Sequence, residues 1–132
     1  MKLATADPYL RPRDAILIEG YASLFGVEDR SGDIVRAGAF SRSLKAQSVP
    51  MLLQHKSGAV AGVWTRVVET GAGLFVRGRI ESKTASSLVH GGLNGLSIGF
   101  RPRVWMPRPE GGRVLAQIDL VEISLVADPM LP

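Results

Sequence analysis

The sequence of 132 residues has no cysteine and only two histidines, His55 and His90. Lacking cysteine, it can build no disulfide framework, no thiol nucleophile and no thiolate-held zinc or iron–sulfur centre. Two histidines leave little for a histidine metal cage, and no cofactor or metal is expected. Long apolar runs are missing too. No window approaches the ~18 consecutive apolar residues of a membrane span, and the first fifteen residues carry Lys2, Asp7, Arg11, Arg13 and Asp14 in place of a signal peptide's apolar stretch. The chain is therefore expected to be soluble and intracellular. Charge of one sign does not dominate either: 16 basic and 12 acidic residues leave a net +4. The cations are scattered, apart from a cluster of Arg101, Arg103 and Arg108 beside Trp105. That cluster admits a basic nucleic-acid-binding module, but it offers one tryptophan where single-strand binders stack several bases.

Turn formers are plentiful instead. Fifteen glycines and eight prolines interrupt long helices and coiled coils, while 45% apolar residues are enough for an ordinary core. The length fits one domain, expected over residues 15–132 behind a mobile arm over 1–14, where prolines and mixed charges flank no periodic apolar pattern.

Strands are predicted at 16–22, 51–55, 60–68, 74–80, 93–106, 114–118 and 120–126, from β-branched or alternating runs bounded by turn residues. The spacing of Phe40 and Leu44 predicts a short helix within 38–46. Ser82 as N-cap and Gly91-Gly92 as terminator predict a second over 82–90, with Leu88 and Val89 facing inward. The expected fold class is α+β, strand-dominated: a small closed β-barrel of six or seven mostly antiparallel strands with short flanking helices.

Within GLSIGF at 95–100, strand alternation sets Leu96, Ile98 and Phe100 on one face and Gly95, Ser97 and Gly99 on the other. Glycines inside a strand cost stability and mark the close approach of a backbone or ligand. Ser97 then stands as a hydroxyl in a bare lane formed by Gly95 and Gly99, as a nucleophile facing an extended peptide would. The same pattern also fits a tight barrel corner with Ser97 bonded to a neighbouring carbonyl. His55 closes the apolar run MLLQH at 51–55, which places its ring at the lip of the core, where either a general base or a structural strand-end histidine belongs. His90, in the last turn of a predicted helix, has a helix-end role to hand. In DLVEISLV at 119–126, Glu122 is expected to share a face with Leu120, Ser124 and Val126. A carboxylate among apolar neighbours needs a partner, either a histidine to orient or one of the arginines.

Taken in order, GYASLFG (20–26), GDIV (32–35) with GAF (38–40), MLLQH (51–55), GLSIGF (95–100) and DLVEISLV (119–126) resemble the prohead, or head maturation, proteases of tailed bacteriophages. The resemblance runs from about Gly20 to Pro129. It implies a serine endopeptidase distantly related to the herpesvirus assemblins, with His55 and Ser97 as the catalytic pair. Where assemblins place a second histidine after the serine, this chain offers Glu122. Many relatives follow the histidine with aspartate, and here Lys56 stands instead. The implied substrates are the scaffolding segment of the major capsid protein and the protease itself, cleaved in the host bacterial cytoplasm inside the assembling procapsid. A catalytically inactive internal scaffold of the procapsid is the other reading of the same resemblance.

Overall fold

The computed structural model describes residues 1–3, 16–46 and 48–129. Eight strands and two short helices follow one another as β1 (Lys2–Leu3), β2 (Ile16–Leu24), β3 (Ile34–Val35), α1 (Ser41–Ala46), β4 (Met51–Leu53), β5 (Val60–Glu69), β6 (Gly73–Ile80), α2 (Lys83–His90), β7 (Gly95–Pro107) and β8 (Arg113–Val126). The fold is strand-dominated, as the sequence implies. Most of the arm expected over 1–14 lies outside the described residues, but Lys2 and Leu3 form a strand that pairs with Glu19 and Ile18 of β2.

All eight strands join one sheet, hydrogen-bonded in the order β1-β2-β6-β5-β4-β8, with β3 and β7 also pairing β8. The pairings are antiparallel except those of β3 and β4 with β8. The sheet curls into a half-barrel rather than the expected closed barrel, and β1 pairs with Ile18 and Glu19 along the edge of β2. The seam is tight there: a Cβ on Gly20 would lie 2.9 Å from Met1 Cα and 3.2 Å from Leu96 Cδ1. Strand β7 thus keeps one edge without a hydrogen-bonded partner among the described residues.

The concave face is filled by Ile18, Phe40, Met51, Leu74, Val76, Ile80, Leu115, Ile123 and Leu125, all inaccessible or nearly so. At roughly 1.5–3 kcal/mol per fully buried large apolar side chain, this cluster is the main force holding the sheet curled. Helix α1 covers one end, its first turn held by the Glu69 carboxylate, which accepts bonds from Phe40 N (2.7 Å) and Ser41 Oγ (2.8 Å). Helix α2 begins as expected, with Ser82 Oγ accepting from Ala85 N at 3.2 Å. Its inward residues are Ala85 and Val89; Leu88 is exposed, since it falls on the turn's solvent side.

One irregularity shapes the site. In the β7–β8 ladder Gly99 pairs with Glu122 but Phe100 pairs with Leu120, so Val121 is an extra, bulged residue. The bulge shifts the alternation by one. Leu120 therefore joins Ile123 and Leu125 in the core and does not share Glu122's face as expected. Leu120 N donates to Ser43 Oγ of α1 at 2.8 Å, which anchors the bulge from beneath.

Candidate active site

Strand β4 ends at Leu53, two residues earlier than the sequence predicts, and Gln54 and His55 turn away from it in the left-handed region with φ of 52° and 59°. Two consecutive non-glycine residues in that region cost on the order of 1–3 kcal/mol each, so the surroundings must hold them. Strand β8 does so. Gln54 N donates to Leu125 O (2.9 Å), Gln54 Oε1 accepts from Ala127 N (3.2 Å), and His55 N donates to Ser124 Oγ (3.1 Å). The turn carries the imidazole away from the core lip and over the convex face of β8, leaving its side chain 45% exposed.

On that face His55 Nδ1 meets Glu122 Oε1 at 2.6 Å. Glu122 is 6% exposed, a burial that a carboxylate tolerates only with its oxygens bonded. Its second oxygen, Oε2, accepts from the hydroxyl of Ser124 at 2.6 Å. Ser124 is completely buried and makes two bonds: it accepts from the backbone of the histidine and donates to the acid. The sequence reading missed this residue. Its signal was present, since Ser124 falls two residues from Glu122 on the same strand face.

The register of β7 against β8 sets Ser97 directly opposite Ser124 and Gly99 opposite Glu122. Opposed side chains of an antiparallel pair have Cβ atoms ~4.5–5.5 Å apart. Ser97 is 5% exposed, and its hydroxyl makes no hydrogen bond among the described residues. The three residues singled out from the sequence, His55, Ser97 and Glu122, thus converge on one face from three separate segments.

The glycines differ from expectation. A Cβ on Gly99 would lie 2.6 Å from Glu122 Oε1, and one on Gly95 would lie 2.6 Å from Val126 O and 3.0 Å from Pro129 Cδ. The face expected to be bare is therefore filled from within the chain, and the close approach that each glycine permits is intramolecular. Open space lies along the other flank of Ser97. A cleft of about 200 Å³ runs between β7 and the end of β2, and Ser97 belongs to its wall whereas His55 and Glu122 do not.

His90 is exposed in the last turn of α2, and its ring makes no hydrogen bond among the described residues. The arginine cluster is largely tied up within the chain. Arg103 bonds Asp119 at 3.0 Å, Arg108 lies 3.2 Å from both Glu28 and Glu110, and Arg113 stands over the Trp105 ring at 5.8 Å. Among the described residues no group of three metal-ligating side chains occurs, and no helix is long and apolar enough to cross a membrane.

A curled, mostly antiparallel half-barrel with an apolar concave face and two short helices is a fold shared with the assemblin-like proteases. Two solved structures share the fold. The capsid assembly protease gp21 of bacteriophage T4 superposes with a TM-score of 0.65 at 15% identity, covering 87% of this chain and 84% of that one. The KSHV protease in complex with a hexapeptide phosphonate inhibitor gives 0.60 at 13% identity, covering 89% and 61%. The Caudovirus prohead serine protease profile matches residues 6–132, and the chain belongs to that family. Among curated relatives, the prohead protease of Enterobacteria phage HK97 is 36% identical over 93 residues, taking in 64% of this chain. The chain spans 41% of that relative's length.

Proposed function

We propose that this chain is a serine endopeptidase of procapsid maturation, with Ser97 as nucleophile, His55 as general base and Glu122 as the carboxylate that orients the imidazole. The observation that carries the reading is the 2.6 Å contact between His55 Nδ1 and Glu122 Oε1 on the sheet face that Ser97 shares. With Nδ1–H donated to the carboxylate, Nε2 is the nitrogen left to take a proton.

In the reaction, His55 Nε2 removes the Ser97 Oγ proton as the oxygen attacks the scissile carbonyl carbon. Glu122 stabilises the imidazolium. The proton then passes to the leaving amine as the C–N bond breaks, giving an acyl-serine and a free amino terminus. Water, deprotonated by the same imidazole, hydrolyses the ester and restores Ser97. The main-chain edge of β7 left open by the incomplete barrel supports docking of an extended substrate by strand addition, a mode that tolerates varied side chains.

By kinship with proteins named for the prohead and for capsid assembly, the substrates are the scaffolding segment of a major capsid protein and the protease itself, cleaved inside the assembling procapsid. The test is co-expression with the capsid subunit, followed by mass spectrometry of subunit termini. Wild type should yield a trimmed subunit, and Ser97→Ala should leave it intact, since loss of a triad serine costs on the order of a million-fold in rate. Trimming by Ser97→Ala at the wild-type rate would overturn the assignment.

A further inference from the structure

The cleft that Ser97 borders has two unlike ends. Apart from Ser23 and Ser97 its walls are apolar, chiefly Leu24, Val27, Val35, Ile98 and Phe100. At the far end stand Asp29, Ser31, Asp33 and Arg113, and most of their polar atoms are engaged with one another. Both Asp33 oxygens accept from Arg113, at 3.2 Å from Nε and 2.7 Å from Nη2. Asp29 Oδ1 accepts from Ser31 N, Ser31 Oγ and Asp33 N. A ligand entering there meets apolar walls and a polar floor that is already bonded, so a charged group would give up its hydration for little return. The cleft is mostly apolar, has room for one side chain, and includes the nucleophile in its wall.

We infer that this cleft is a specificity pocket for a medium-sized apolar side chain, of leucine or phenylalanine size, on one of the two residues that flank the scissile bond. The inference rests on the assignment of Ser97 as nucleophile. Position selects the flanking residues: Ser97 is part of the cleft's wall, and the side chains within reach of both that wall and an attacked carbonyl are those on either side of the scissile bond. Val27 is the gatekeeper. It is 38% exposed, on the loop after β2 and outside the buried core, so it can be changed without repacking the sheet.

The test uses quenched peptides spanning the junction mapped on the capsid subunit, with each flanking residue in turn set to Leu, Ala or Asp. At one of the two positions kcat/KM should favour Leu over Ala by about ten- to two-hundredfold, the discrimination an apolar pocket achieves, and Asp should be the poorest. Val27→Trp, which fills the mouth, should bring the Leu/Ala ratio to about one or below, and Val27→Ala should shift preference toward Phe. Ratios within one variant are compared, so a general change in rate does not enter. Indifference to Leu, Ala and Asp at both positions, or a ratio unmoved by both Val27 variants, would overturn the pocket. Labelling by a serine-reactive phosphonate keeps the two levels apart. Attachment to Ser97 with no side-chain preference sinks the pocket alone, whereas attachment elsewhere or none sinks the catalytic assignment and the pocket with it.

Discussion

Ser124 ties His55 to Glu122 from beneath: its hydroxyl accepts from the histidine's backbone N–H at 3.1 Å and donates to the acid's Oε2 at 2.6 Å. One buried side chain therefore fixes both the left-handed turn that carries His55 and the rotation of the carboxylate that faces it. Replacing Ser124 with alanine leaves two buried polar groups without this partner. The expected cost is about 1–3 kcal/mol of stability and up to about a hundredfold in kcat, the usual penalty for a small misplacement of a catalytic group. Peptide hydrolysis measured beside thermal unfolding checks it, with KM expected to change little.

The third member of the site is decided by a pair of variants. Glu122→Gln keeps a side chain of the same shape but removes the charge and leaves one acceptor oxygen where His55 Nδ1–H and Ser124 Oγ–H each use one. Turnover should fall about a hundred- to ten-thousandfold with the sheet intact by circular dichroism. His90→Gln, on an exposed helix end, should cost at most a few-fold, with up to ~1 kcal/mol of stability lost. A dead His90→Gln beside a normal Glu122→Gln would reverse the assignment.

Gly99→Ala tests whether the glycine serves the acid. Its methyl carbon would sit 2.6 Å from Glu122 Oε1 and 2.9 Å from Cδ and Cγ, so the side chain must swing off His55. Activity should drop by about a hundredfold, whereas an alanine in place of an idle strand glycine would be neutral or mildly stabilising.

Asp33 and Arg113 give the fold a defined acid limit. The Arg113 guanidinium bonded to the buried Asp33 holds that carboxyl below its ordinary value of 3.8, and the carboxylate raises the arginine in return. A carboxyl whose folded value is depressed contributes stability that is complete above the unfolded value and drains away as pH falls through the folded one. Denaturant unfolding between pH 6 and pH 2 should therefore show wild type losing its advantage over Asp33→Asn below about pH 4. At neutral pH the variant should be less stable by about 2–4 kcal/mol, since it leaves Arg113 facing a neutral amide.

Much of this molecule was legible in the chain. Alternation and turn residues placed the long strands, Ser82 and Gly91 bounded α2 where its cap is found, and five short motifs in order carried His55, Ser97 and Glu122 together. Local physics suffices for such features, because strand period, caps and turns depend on neighbours a few residues away. The face of Leu120 was misread because the bulge at Val121 is a property of two paired strands, and neither strand announces it alone. A glycine inside a strand signals close approach without saying of what, and what approaches Gly95 and Gly99 comes from residues 122–129 of the same chain. The departure of His55 from its strand, the bridging hydroxyl of Ser124 and the placement of Ser97 opposite it all follow from the register of β7 on β8 and of β4 on β8. Register joins segments tens of residues apart through main-chain bonds that are alike at every position. The sequence by itself therefore determined which residues were available for the site, and only the tertiary structure decided how they meet.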